Sequence, residues 1–423
     1  MSEAAGRWTF AKALTVDGAL TLSDRSDKVK FYPLAASNVH FVLAGDNITT
    51  TGSLHNPASG ALVTNVDILH RLASAQGHAI LDAPGLHFAQ NGLQPDAITP
   101  LTEGVIALVD GTVRGQGRID WKGARVTSTG DFSTNATDLA AAFGPVTGIH
   151  GTIHFSDLLG FETAPGQIVT LATVNPGIPV ENGTVRYQLL PGQLVKIESG
   201  DWPFMGGRLV LRETVLNLGK PTPKRLTFAV DGLDAHILVD SFGFKEIAVG
   251  GIFDGVLPMI FDDSGGRIVG GRLDSRRPGG SLSYIGVVSK ANLGLFGGIA
   301  FNALRDLRFQ SMIVRLDGDL AGEFATTLTI DQVALGNTGT QRLIRRVLKK
   351  VPFKFNVSIK GPFRALIGTA KSFKDPRMTI HDALPGPIAN LPDAAVTITT
   401  ADTKNQTQTP VPIEVVTTRK PKK

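Results

Sequence analysis

Three places in the chain gather residue types that could do chemistry. His150 and His154 share a parity on a strand-like segment with Asp157 close behind, a set that could hold a metal ion. The remaining histidines are scattered, so structural histidines are the better reading. Asp262-Asp263 is a carboxylate pair of the type used in acid–base catalysis, yet it abuts Ser264-Gly265-Gly266, the composition of a turn. Gly265-Gly-Arg-Ile-Val-Gly-Gly271 and Arg114-Gly-Gln-Gly-Arg118 have the glycine density of phosphate-cradling loops. Neither leads into a helical pattern and no Gly-Lys-Ser/Thr follows, so turn glycines fit better. No Ser/His/Asp elbow or His-Glu helix motif is present. The expectation is a protein that is not an enzyme and needs no cofactor or metal.

The elements that would position these residues are strands. From Glu198 to Gly286, short apolar runs alternate with Gly-Gly and Asp-Gly turns, and no helix-length pattern interrupts them. Trp202, Phe204, Met205, Phe253, Met259 and Phe261 cluster there, either as plain core or as an apolar face open to a ligand. Three later segments alternate cleanly, with Leu226, Phe228 and Val230 on one face of the first. Phe324, Leu328 and Ile330 share a face in the second, and Phe353, Phe355, Val357 and Ile359 in the third. Period two with one wet face marks antiparallel strands.

Strand patterns also occur at Val16–Leu22, Val39–Leu43, Gly111–Trp121 and Ala124–Phe132, while Val63–Leu72 fits neither period. Ile98–Leu108 reads as a short helix after Pro95, and Asp138–Phe143 as a helical turn stopped by Gly144-Pro145. Thr340–Val351 has an apolar stripe of Leu343, Ile344, Val347, Leu348 and Val351 under a basic coat. It reads as a helix capping the sheet or lying on a membrane surface. Residues 384–423 turn to Pro, Thr, Asn and Gln and read as a disordered basic tail after one elongated domain of residues 1–383.

Glycine, at 48 of 423 residues, exceeds the usual ~7 %, as a chain of many turns requires. The turn spacing implies roughly 25 to 30 strands, too many for an ordinary open sheet of about ten. That leaves several sandwiches or one elongated stack, on the order of 100 Å long at ~4.8 Å per strand. Cysteine is absent, which removes disulfides and thiolate metal sites. Of the net charge of +5, residues 401–423 supply +3, so the body is near neutral and no nucleic-acid partner is expected. No signal-peptide h-region and no ~20-residue apolar run is present, so the chain reads as soluble, or as the soluble part of something longer.

Within the central stretch the residues become specific. Gly200-Asp-Trp-Pro-Phe-Met-Gly-Gly-Arg-Leu209, Leu226-Thr-Phe-Ala-Val-Asp-Gly-Leu233, Gly255-Val-Leu-Pro-Met-Ile-Phe261 and Gly279-Gly-Ser-Leu-Ser-Tyr284 resemble the C-terminal part of YdbH-family proteins, within the AsmA-like group that includes TamB. Met312-Ile-Val-Arg-Leu-Asp-Gly-Asp-Leu320 fits the same pattern, and the likeness runs from about Val105 to Phe363. The resemblance implies an all-β fold: an elongated, twisted antiparallel sheet curled into a groove, with a few short helices. It also implies a periplasmic protein of the Gram-negative envelope, anchored in the inner membrane by an N-terminal helix that this sequence lacks. Its implied partners are phospholipid, membrane surfaces and a small outer-membrane lipoprotein bound by strand addition. The groove would be lined by Leu226, Phe228, Val230, Met312, Val314, Leu316, Leu328, Ile330, Phe353, Phe355 and Val357. The alternative is an all-β structural scaffold or interaction protein of the envelope whose apolar faces close on each other. An enzyme on a β-solenoid ranks third.

Overall fold

The computed structural model describes residues 5–10, 13–103, 106–141, 144–175, 180–220, 222–241, 247–262, 265–284, 307–320, 323–335, 355–362, 395–400 and 413–416. Among these residues the regular structure is strand apart from one short α-helix and two 3₁₀ turns, every pairing in register is antiparallel, and the sheet does not close into a barrel. The described residues divide into two compact units.

The first unit comprises residues 1–175, 179–200 and 213–224. Its meander begins with β1 (Ala5–Phe10), β2 (Leu14–Leu22), β3 (Leu34–Ala44), β4 (Asn47–His55), β5 (Leu62–Arg71) and β6 (Gln76–Phe88). It continues with β7 (Ile106–Lys122), β8 (Arg125–Ala141) and β9 (Gly144–Asp157). Short β10 (Glu162–Thr163) and then β11 (Gln167–Val174) both pair with β9, and β12 (Val180–Leu190) pairs with β11. Residues 194–197 of β13 (Leu194–Phe204) pair with β15 (Thr214–Asn217), which follows β14 (Gly207–Leu211). Two buried clusters close the unit at one end of its strands. Leu34, Ala36, Leu54 and Val63 form one, and Phe88, Leu93 and Val109 the other.

The second unit comprises residues 176–178, 201–212 and 225–423. Here β14 pairs with β16 (Lys224–Asp234), Leu211 opposite Phe228. After β17 (Ile247–Gly250) come β18 (Ile252–Asp262), β19 (Gly265–Ser275), β20 (Gly280–Tyr284), β21 (Leu307–Asp319), β22 (Glu323–Leu335) and β23 (Phe355–Pro362). The ladder runs β18–β19–β21–β22–β23, while β20 pairs with β17 and with the start of β21. Met205 and Gly206 join β13 to β14 with positive φ at both positions, the two-residue hairpin turn whose twist suits antiparallel strands. Alternation is clean in β18, where Phe253, Leu257, Met259 and Phe261 are buried and the residues between them only partly so.

Three local expectations are corrected. Residues 138–141 of the expected helical turn Asp138–Phe143 belong to β8, with Leu139 opposite Val146 of β9. A single helical turn fixes several dihedrals for one hydrogen bond, whereas strand pairing satisfies the same backbone in full. The expected helix Ile98–Leu108 is a 3₁₀ turn at Pro100–Thr102, started by the Thr99 side chain accepting from Leu101 N, and strand resumes at Ile106. The central stretch does contain a helix, Ala235–Ser241, and Asp234 Oδ1 accepts from His236 N at its start. The segment Val63–Leu72, which fitted neither period, is strand through Arg71. The expected basic helix Thr340–Val351 lies outside the described residues. Within 384–423, strands β24 (Ala395–Thr400) and β25 (Ile413–Val416) are described, β24 pairing with β23.

Candidate functional site

The chemistry-bearing residues are dispersed by the fold. His154 Nδ1 lies 2.5 Å from Asp131 Oδ1, while Asp157 accepts from Ser128 Oγ at 2.5 Å and from Gly160 N at 3.0 Å. His150 joins neither, and no group of three or more metal-ligating side chains occurs among the described residues. Asp262 is paired with Arg267 at 2.7 Å, and Asp263 lies outside the described residues. Both glycine-rich runs lie in strands: residues 114–118 in β7 and residues 265–271 in β19. An added Cβ at Gly115 would sit 2.1 Å from Asp131 O, so close strand approach explains that glycine.

What each unit does assemble is a sheet with unlike faces. In the first unit, register places Val16, Phe41, Thr50, Ile68, Ala79, Ile119 and Ser128 in one row across β2 to β8. Beside it runs the row Gly52, Val66, Leu81, Gly117, Gly130, Phe155. The other face carries Asp17, His40, Asp67, Arg118 and Asp131. There His40 Nδ1 meets Asp17 Oδ1 at 2.6 Å, and Arg118 grips Asp120 through both oxygens at 2.7 and 2.8 Å, holding that carboxyl below its ordinary range. Val16, Phe41, Ile68, Leu81, Ile119 and Phe132 are only half-buried, so this apolar face keeps accessible hydrocarbon, although Ala79, Gly117, Ser128 and Phe155 in the same rows are buried. Two rings tile it: Trp121 lies where a Cβ at Gly77 would come within 2.6 Å, and Phe132 lies within 2.7 Å of one at Gly115. Farther along, burial pushes the Tyr187 phenol of β12 up to about 12.

The second unit's apolar face is filled instead along β16, β18 and the first half of β21. Leu226, Phe228 and Val230 of β16 and Met312 of β21 are 3–5 % exposed. Trp202 and Phe228 meet at 6.3 Å between ring centroids, and Phe253 and Phe309 at 6.4 Å. Trp202 Nε1 is buried there without a hydrogen-bond partner, an uncommon state for an indole N–H. On the opposite face Arg276 bridges Asp231 and Asp254, and its hydrogen bonds hold the Asp254 carboxyl below its ordinary range.

The structure distributes the sequence-expected lining as follows. Leu226, Phe228 and Val230 line up against Leu209 and Leu211 of β14. Met312 stands opposite Ile330, which stands opposite Phe355. Val314, Leu328 and Val357 form the next row, and Leu316 lies two residues beyond Val314 on the same face. Val314 and Leu316 are half-buried. Of Leu328, Ile330, Phe355 and Val357 the backbone register alone is described, and Phe353 lies outside the described residues. Sequence reasoning passed over the accessible face of the first unit. Its signal was present in the alternation of Val39, Phe41 and Leu43, but bulkier residues drew attention to the central stretch.

The model of the YdbH-like family, described as intermembrane phospholipid transport protein YdbH, matches residues 2–383. No curated protein and no solved structure matches the chain.

Proposed function

The chain belongs to the YdbH-like family of intermembrane phospholipid transport proteins, and from that premise we propose that it carries phospholipid acyl chains on the apolar faces of its sheet. The observation that carries the reading is the half-buried hydrocarbon face of β2 to β8, backed by a charged opposite face. An acyl chain laid on it removes apolar area from water on both sides, about 0.8 kcal/mol for each methylene fully buried. The residues Leu226 to Val357 expected from the sequence belong to the same proposal. At Leu226, Phe228, Val230 and Met312, however, a chain must displace protein contacts, because these side chains are already covered. Transport is then passive guidance along a surface in the periplasm, without chemistry. Membrane surfaces are its termini, and a small lipoprotein added to a sheet edge is its partner.

The filled face of the second unit favours a second reading for that unit, a structural scaffold with a closed core. Mass spectrometry of organic extracts from the purified protein tests both. Stoichiometric phospholipid is expected in the wild type. It should be lost in a folded Phe41→Asp or Ile119→Asp variant and kept in Val269→Asp, whose side chain is exposed. A folded wild type that carries no lipid, even after incubation with liposomes, overturns the lipid reading. Loss in Phe228→Asp as well would extend the carrying face to the second unit, and retention there would leave that unit a scaffold.

A further inference from the structure

At one end of the first unit, where β5 turns into β6 and β7 into β8, charged-face residues stand in a row. Arg71 is opposite Gln76, Gln76 opposite Lys122, and Lys122 opposite Arg125. The three cations are exposed, and among the described residues none has an ion pair. Lys122 and Arg125 flank a two-residue turn, so like charges face each other roughly 5 Å apart, an arrangement that destabilises a bare sheet. Two carboxylates lie nearby. Asp120 is held by Arg118, and Asp46 Oδ1 accepts from Ala73 N at 2.7 Å. The row borders a depression of about 460 Å³ that His78, Trp121 and the Arg118-paired Asp120 also line.

The same strand ends present apolar groups beside the cations. Trp121 is opposite Val126 on the apolar face, and Leu72 follows Arg71 in the turn. Val126 is 52 % and Leu72 49 % exposed. Trp121 stacks on His70 and donates its indole N–H to His70 Nδ1 at 2.9 Å, which fixes the ring at the rim. Unneutralised positive charge and uncovered hydrocarbon therefore meet at one edge. A free anion would satisfy the first alone. A phosphodiester attached to hydrocarbon satisfies both, and guanidinium groups bind phosphate oxygens through paired hydrogen bonds.

We propose that this rim binds the phosphate of a phospholipid headgroup through Arg71, Lys122 and Arg125, with the lipid's first methylenes against Leu72, Trp121 and Val126. The proposal rests on the lipid-carrying reading of the adjoining face. Binding of tail-labelled phosphatidylglycerol and of diacylglycerol with the same tails tests it, in the full chain and in the Arg71→Ala/Lys122→Ala/Arg125→Ala variant. The wild type is expected to prefer the phosphate-bearing lipid by about tenfold, with the preference shrinking at high salt. The variant, checked for an unchanged circular dichroism spectrum, is expected to bind both lipids alike, at the wild-type diacylglycerol affinity. A variant that keeps the preference overturns the rim while the lipid reading stands. A wild type that binds neither lipid overturns the lipid reading itself. Inorganic phosphate alone is the third arm: if it binds the wild type as tightly as phosphatidylglycerol does, the cluster is a free-phosphate site and the proposal fails.

Discussion

Among the described residues, Tyr187 carries the one strongly shifted ionisable group whose cause is burial alone. Its phenol ionises near 10.0 in an unfolded chain and at about 12 in the folded protein. The folded state holds the proton more tightly, so this group leaves stability unchanged below pH 10 and lowers it as pH rises from 10 to 12. At ~1.4 kcal/mol per unit, the loss approaches 2–3 kcal/mol once both states are ionised. Denaturant titrations at pH 9 and pH 12 should therefore show a steeper alkaline loss for the wild type than for Tyr187→Phe. Equal losses would show that the phenol is solvated.

At the scale of the element, the ring-over-glycine contacts decide how flat the apolar face is. An added Cβ at Gly77 of β6 would sit 2.3 Å from Leu69 O and 2.6 Å from the Trp121 ring, and backbone cannot yield as a flexible side chain can. Gly77→Ala is expected to destabilise the first unit by roughly 1–3 kcal/mol, the usual range for overpacking. The shift would be read as a lower denaturant midpoint and a change in Trp121 fluorescence. Gly123, in the turn between β7 and β8, has nothing within 4 Å of its would-be Cβ, but its φ of 58° disfavours a side chain for a different reason. A Gly77→Ala protein of unchanged midpoint would mean that the ring moves aside freely.

For the molecule as a whole, the proposed lipid carriage ties binding to stability, because a ligand that binds the folded state stabilises it by mass action. The accessible face of the first unit gains cover when an acyl chain lies on it, whereas the second unit's core is already covered. Delipidation by detergent exchange should therefore lower the first unit's melting transition and leave the second's nearly unchanged. Calorimetry before and after extraction would check this, with Trp121 reporting on the first unit and Trp202 on the second. A uniform shift of both transitions would place lipid in both units.

Much of this was determined by the sequence alone. Period-two alternation at Leu226–Val230 assigned faces that burial matches, and Gly-rich turns every dozen residues committed the chain to antiparallel strands. Both are local properties, fixed by side-chain parity and by the φ freedom of glycine. Tertiary structure decided what depends on partners distant in sequence. Asp138–Ala141 became strand because β9 offered it hydrogen bonds, and Ala235–Ser241 became helix in a stretch where no helical period is written. The contrast between a filled and an accessible apolar face is likewise absent from the sequence, since Phe41 and Phe228 alternate alike and differ only in what covers them. Arg71 lies some fifty residues from Lys122 and Arg125, and strand register alone brings the three cations into one row.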